Sequence, residues 1–180
     1  MKFLVTILFL MILVLVSCSK DSNPDRIYLD TNGITIKCNA TGKIGDTFKV
    51  NGITYTIVDE DMLREMVAQG ADVTTVCTSR VTDMHGLISA DLFNEIEGLR
   101  SFNQDISTWD VGNVTDMGDM FFSSSFNQDI SAWDVSRVRN MSFMFLESSF
   151  NQPIGSWDVS NVKDMSIMFT DSPFNQPIGN

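Results

Sequence analysis

FNQDISTWDVGNVTDMGDMFFSSS, residues 102–125, runs without a gap into FNQDISAWDVSRVRNMSFMFLESS (126–149) and FNQPIGSWDVSNVKDMSIMFTDSP (150–173). A partial copy then extends from Phe174 to Asn180. Twelve of the 24 positions are identical in the three full copies, giving F-N-Q-x-I-x-x-W-D-V-x-x-V-x-x-M-x-x-M-F-x-x-S-x. A unit this short cannot bury its own apolar face, so copies must lie against one another. The expectation for residues 76–180 is therefore an α/β solenoid.

Within one copy, Ile106, Trp109, Val111 and Val114 follow the leucine-rich-repeat pattern L-x-x-L-x-L. That pattern predicts a short strand with Trp109 and Val111 turned inward and Thr108 and Asp110 outward. Met117, Met120 and Phe121 fall at i, i+3 and i+4, which predicts one or two helical turns packed back on the strand. Successive copies would then form a parallel sheet with short helices opposite. Trp109/Trp133/Trp157, Phe121/Phe145/Phe169 and Phe102/Phe126/Phe150/Phe174 would line the interior as columns. The Met and Phe content suits such a core, since thioethers fill irregular gaps beside rings.

Upstream, Val81-Thr82-Asp83-Met84 matches Val114-Thr115-Asp116-Met117 at a separation of 33 residues, which places nine extra residues between Ile88 and Arg100. This degenerate copy should be the first coil, with residues 27–75 as its cover. There, strands are expected at Ile34–Ile36, Phe48–Val50 and Ile53–Val58, the last two joined by Asn51-Gly52, a type I′ hairpin signal. A helix is expected from about Asp59 to Gln69. Asp59 suits its N-cap, Met62, Leu63, Met66 and Val67 form one apolar face, and Gly70 suits a left-handed stop.

At the N-terminus, Lys2 precedes an apolar run from Phe3 to Val16. Such a run is short for a transmembrane helix and suits a signal peptide, residues 1–17. Leu15-Val16-Ser17-Cys18 resembles the bacterial lipobox, which makes Cys18 the expected lipidation site and residues 18–26 a polar tether. Lys20-Asp21 also resembles export signals that carry lipoproteins to the outer face of some Gram-negative cells. Cys38 and Cys77 remain, and in an oxidising compartment they form either one disulfide or two separate buried thiols.

The formal net charge of −11 argues against nucleic acid as a partner and against binding to anionic lipid surfaces without an anchor. No Cys/His spacing suggests a metal site, and no cofactor is expected. Catalysis by a Ser-His or Cys-His pair would depend on His85, the only histidine, so no catalytic residue is assigned. Among the repeated polar positions, Asn103, Asn127, Asn151 and Asn175 suit a hydrogen-bonded ladder. Asp116, Asn140 and Asp164 suit capping. Asp110, Asp134 and Asp158 are the candidate ligand-binding residues. Like charges on neighbouring strands repel, so either turn N–H groups hold these carboxylates or they face cations or a basic partner.

With W-D-V-x-x-V-x-x-M-x-x-M-F and F-N-Q in view, the chain resembles the BspA-type leucine-rich-repeat surface lipoproteins of bacteria over residues 53–180. The resemblance implies a lipid-anchored or secreted extracellular protein, with some members linked to adhesion to host or matrix proteins. The chain has about four coils, fewer than longer members, and stops within a copy, as a fragment of a longer repeat surface protein would. The expected function is that of a cell-surface or outer-membrane lipoprotein that binds a protein ligand outside the cell, without catalysis. A cation-dependent structural spacer is the alternative.

Overall fold

The computed structural model describes residues 26–90 and 98–178. The expected signal peptide, Cys18 and nearly all of the tether lie outside the described residues, as does part of the Ile88–Arg100 insertion. No helix among the described residues is long and apolar enough to cross a membrane.

Two hairpins open the fold. Strands β1 (Ile27–Leu29) and β2 (Ile36–Cys38) pair antiparallel, with Tyr28 opposite Lys37. Asn32 shapes the connecting turn by accepting the N–H groups of Ile34 and Thr35 through Oδ1. Strands β3 (Thr47–Val50) and β4 (Ile53–Ile57) pair antiparallel across Asn51 and Gly52. Both turn residues have positive φ, 50° and 86°, as a type I′ turn requires.

Helix α1 (Glu60–Ala68) follows as expected, with the Asp59 carboxylate capping the Met62 N–H at 3.0 Å. Gly70 takes positive φ just beyond it. Leu63 and Val67 are buried, and Met62 and Met66 pack against the same core. The chain then returns as β5 (Val76–Cys77), parallel to β4, so a three-stranded sheet in the order β3-β4-β5 stands beside the two-stranded one.

The repeats depart from expectation. They do not build the α/β leucine-rich-repeat-like solenoid with a parallel sheet and short helices. The only sheets among the described residues are the two small ones above, and α1 is the only α-helix. Residues 103–178 contain neither strand nor helix, and parallel pairing survives only as isolated bridges linking Asp83, Asp116, Asn140 and Asp164 in succession.

The reason lies in the turns. Where a strand was expected, Trp109 N–H closes on Ile106 C=O and Val114 N–H on Val111 C=O, so the backbone curls through consecutive tight turns. Where helical turns were expected, Asp119 and Ser123 have positive φ, as do Phe143 and Glu147, then Ile167 and Asp171. Left-handed residues every four positions forbid an α-helix. They also bring i, i+3 and i+4 to one side, which satisfies the same apolar spacing.

In these corners the N–H groups alternate in direction. Those of Met117, Asp119, Phe121 and Ser123 run to the carbonyls of Asn140, Ser142, Met144 and Leu146 in the next copy, at 2.8–2.9 Å. Those of Met120, Phe122 and Ser124 close turns within their own copy. Met141, Phe143, Phe145 and Glu147 repeat the outward set onto the third copy. Hydrogen-bonding demand is thus met without regular secondary structure.

Side chains follow the same register. Phe121 stacks on Phe126 at 4.2 Å, Phe145 on Phe150 at 4.1 Å and Phe169 on Phe174 at 4.1 Å. Phe121–Phe145 at 5.4 Å and Phe145–Phe169 at 5.7 Å join these pairs into one zigzag of rings. The indoles of Trp109, Trp133 and Trp157 are buried, and each donates Nε1–H to a backbone carbonyl of the preceding layer: Val73, Ile106 and Ile130. One apolar core runs from α1 through the repeats to Met168.

Removing a ring from the middle of this zigzag leaves a cavity between two layers. Phe145→Ala should lower stability by about 3–5 kcal/mol, and Phe174→Ala, half-buried at the end of the stack, by clearly less. Urea unfolding of the two variants checks both the magnitude and the order.

Candidate functional site

The three expected ligand-binding carboxylates do not form one uniform outer strip. Asp110 is only 6% exposed. Strand β2 and the residues after β5 cover it: Ile36 N–H donates to Thr108 C=O, and Thr78 Oγ1 donates to the Asp110 carbonyl. Ser79 Oγ donates to Asp110 Oδ2 at 2.6 Å. The outward placement expected for Asp110 is therefore corrected, because the N-terminal unit packs over the first full copy. Asp134 and Asp158 lie farther along and are exposed.

All three carboxylates are held by their own turns. Asp110 Oδ1 accepts the Gly112 N–H, Asp134 Oδ1 accepts both the N–H and the hydroxyl of Ser136, and Asp158 Oδ1 accepts the Ser160 N–H. Donors two residues on are the Asx-turn arrangement, and they offset the repulsion along the column. Asp110 and Asp134 flank Gly112, where a Cβ would stand 3.3 Å from one carboxylate and 3.4 Å from the other. The interval between the two charges is filled by backbone.

Two further columns use the same device. Asp105 and Asp129 accept the N–H groups of Ser107 and Ser131. Asp83, Asp116, Asn140 and Asp164 accept those of His85, Gly118, Ser142 and Ser166. Hydrogen bonds from their own turns hold the carboxyls of Asp129, Asp158 and Asp164 below the usual carboxylate range. Against ten acidic residues, positions 102–180 carry three basic ones, Arg137, Arg139 and Lys163. A strongly anionic surface results. Among the described residues no three His, Cys, Asp or Glu side chains converge as a metal-binding group.

The Asn column is a ladder of a particular kind. Asn103, Asn127 and Asn151 each accept, through Oδ1, the backbone N–H of the next Asn at 2.9–3.0 Å. His85 is exposed, its ring 3.5 Å from Asp116 and 3.7 Å from Asp119.

Cys38 on β2 and Cys77 on β5 are free thiols brought together by the fold. Ser79 links them to Asp110: its Oγ accepts the Cys38 N–H and lies 3.5 Å from Cys77 Sγ while donating to the carboxylate. A hydrogen bond from Cys77, with help from Ser79 and Arg80, draws the Cys38 thiol down to about 6. Donating that bond and being buried push Cys77 up. The sequence offered Cys38 and Cys77 as one possible disulfide, but gave no signal for Ser79, which joins them to Asp110 from a separate element.

A family described as "Mycoplasma protein of unknown function, DUF285" matches residues 59–180. The chain belongs to that family. The DUF285 region begins at the N-cap of α1 and takes in β5 and every repeat, leaving out the two hairpins. No curated protein and no solved structure matches the chain.

Two outcomes follow for this region. Cys38 should alkylate rapidly at neutral pH and Cys77 only after unfolding. Mild oxidation should join them, and closing that loop should stabilise the fold by about 4 kcal/mol, read as a reductant-sensitive melting temperature. Separately, a carboxyl whose folded pKa lies below its unfolded value stabilises the fold above the unfolded value and ceases to do so as pH falls through the folded one. The melting temperature should therefore hold from neutral pH to about 5 and fall below about 4, as Asp129, Asp158 and Asp164 protonate together.

Proposed function

We propose that this DUF285 protein is a lipid-anchored, cell-surface binding module whose acidic repeat face takes a basic segment of another protein. The observation that carries this reading is the set of exposed carboxylates at Asp134 and Asp158, pinned by turn N–H groups. A surface so organised loses little conformational freedom on binding, and its charge steers a cationic partner. Ten acidic residues against three basic ones give positions 102–180 a strongly negative charge. Lipidation at Cys18, after a signal peptide of residues 1–17, would supply the membrane link that an anionic domain cannot make for itself. The resemblance to BspA-type surface lipoproteins agrees with this placement. No residue is assigned to catalysis.

Asparagine retains the acceptor oxygen of an Asx turn and removes the charge. Asp134→Asn/Asp158→Asn should therefore keep its melting temperature while losing about tenfold or more in affinity for host cells or matrix proteins, with the remaining binding less sensitive to salt. Unchanged binding in a folded variant would exclude this face. Protease shaving of intact cells tests display on its own: the protein should disappear from them, and the Cys18→Ala variant should be released or retained inside.

A further inference from the structure

Ser79 stands at the centre of a buried chain of polar atoms that begins at a thiol and ends in a carboxylate. Its Oγ donates to Asp110 Oδ2 at 2.6 Å, accepts the Cys38 N–H at 3.1 Å and lies 3.5 Å from Cys77 Sγ. A hydroxyl has one proton, and Asp110 receives it, so toward Cys77 the Ser79 oxygen is the acceptor. The Cys77 thiol is fully buried, and its acceptors are Ser79 Oγ, the Ile36 carbonyl at 3.6 Å and Cys38. Of the two oxygens, only Ser79 Oγ can pass a proton onward, since it holds one of its own to give to the Asp110 carboxylate.

Cys38 has different surroundings. It is partly exposed, and the Arg80 guanidinium beside it is anchored by the carbonyls of Asn39 at 2.8 Å and Gly42 at 3.3 Å. The hydrogen bond from Cys77 and the Arg80 charge both favour the thiolate, which is the form that attacks. A thiolate within reach of small solutes thus stands against a thiol that solvent does not reach. A purely structural disulfide needs no such division between its cysteines. A hydroperoxide suits the arrangement, because it is small and its reaction with a thiolate releases an anion, here next to a fixed cation.

We propose that Cys38 and Cys77 form a site that reduces a hydroperoxide, with Cys38 attacking, Cys77 resolving, and Ser79 and Asp110 as positioning residues that receive the Cys77 proton. The Cys38 thiolate attacks the terminal oxygen of R–O–O–H. The O–O bond breaks, an S–O bond forms, and the alkoxide leaves beside Arg80, regaining from solvent the proton that Cys38 gave up. Cys38, now a sulfenic acid, is no longer a thiolate acceptor for Cys77, whose proton passes through Ser79 to Asp110. The Cys77 sulfur then attacks Cys38: the S–S bond forms, the S–O bond breaks, and hydroxide leaves with the proton held by Asp110. Two thiols and one hydroperoxide give one disulfide, one alcohol and one water. The reaction is stoichiometric in the protein, a thiol reductant resets it, and it does not depend on the acidic repeat face.

The test adds hydrogen peroxide to the pre-reduced full chain, with and without dimedone, and assigns each modification by mass spectrometry of peptides. The unaltered chain should close the Cys38–Cys77 disulfide, at a rate about tenfold or more above that of free cysteine at pH 7. Dimedone should label Cys38 alone, weakly in the unaltered chain and fully in Cys77→Ser, while Cys38→Ser should leave Cys77 unmodified. In Asp110→Asn the amide oxygen can keep the Gly112 N–H, which turns the NH2 group toward Ser79 and ends the relay. That variant and Ser79→Ala should form the sulfenic acid at the original rate and close the disulfide about tenfold or more slowly. A merely structural role for Ser79 and Asp110 would not separate the two steps. Unchanged closure in the folded relay variants would overturn the proposal, as would a rate equal to that of free cysteine. Dimedone on Cys77 of the unaltered chain, which needs no substitution, would overturn it too. So would faster closure by oxidised glutathione than by peroxide, by making a disulfide the reactant.

Discussion

Every layer of the repeat region depends on its neighbours for half of its backbone hydrogen bonds. The corner residues send alternate N–H groups out of their own copy, so an isolated copy would leave four donors with water alone. Each such bond contributes about 1 kcal/mol net, and four recur at each internal junction together with the stacked rings. Binding between layers is therefore the main source of order within a layer. An α-helix would keep those groups for itself, and none forms in residues 103–178.

The polar columns are a consequence of stacking turns in register. A turn that needs an oxygen acceptor in one copy needs it in each, so Asp or Asn recurs at fixed intervals and lines up along the stack. At Asp110 the N-terminal unit covers the column and uses the carboxylate to fix Ser79. At Asp134 and Asp158 no described residue covers it, and the same chemistry becomes an exposed anionic surface. A structural role and a surface role thus belong to one column, divided by where β2 and the residues after β5 lie. This division supports a binding reading for the outer members only.

Helix α1 and the β4-β5 pair close the first layer with Leu63, Val67 and Val73, and the Val73 carbonyl receives the Trp109 indole N–H. In the third full copy Val159, Met165 and Ile167 are exposed. The adjacent thiols of Cys38 and Cys77 stand in the covered end, where β2 meets β5, so oxidation there would tie the first hairpin to the sheet that caps the stack.

Periodicity by itself determined which side chains meet. The 24-residue spacing puts Trp109 over Trp133 and Phe121 over Phe145 whatever path the backbone takes, and local chemistry at Asn51-Gly52 and Asp59 determined the hairpin and the helix start. The backbone path within a copy was not legible. The spacing i, i+3, i+4 is met equally by a helix and by a corner with left-handed residues at Asp119 and Ser123, and the pattern W-D-V is met by a strand or by consecutive turns. Only the tertiary structure chose, because the choice rests on N–H groups finding carbonyls in the next copy, which are 23 residues away in sequence. The burial of Asp110 and the meeting of Cys38 with Cys77 were decided at the same level, since each depends on how the N-terminal unit lies over the first layer.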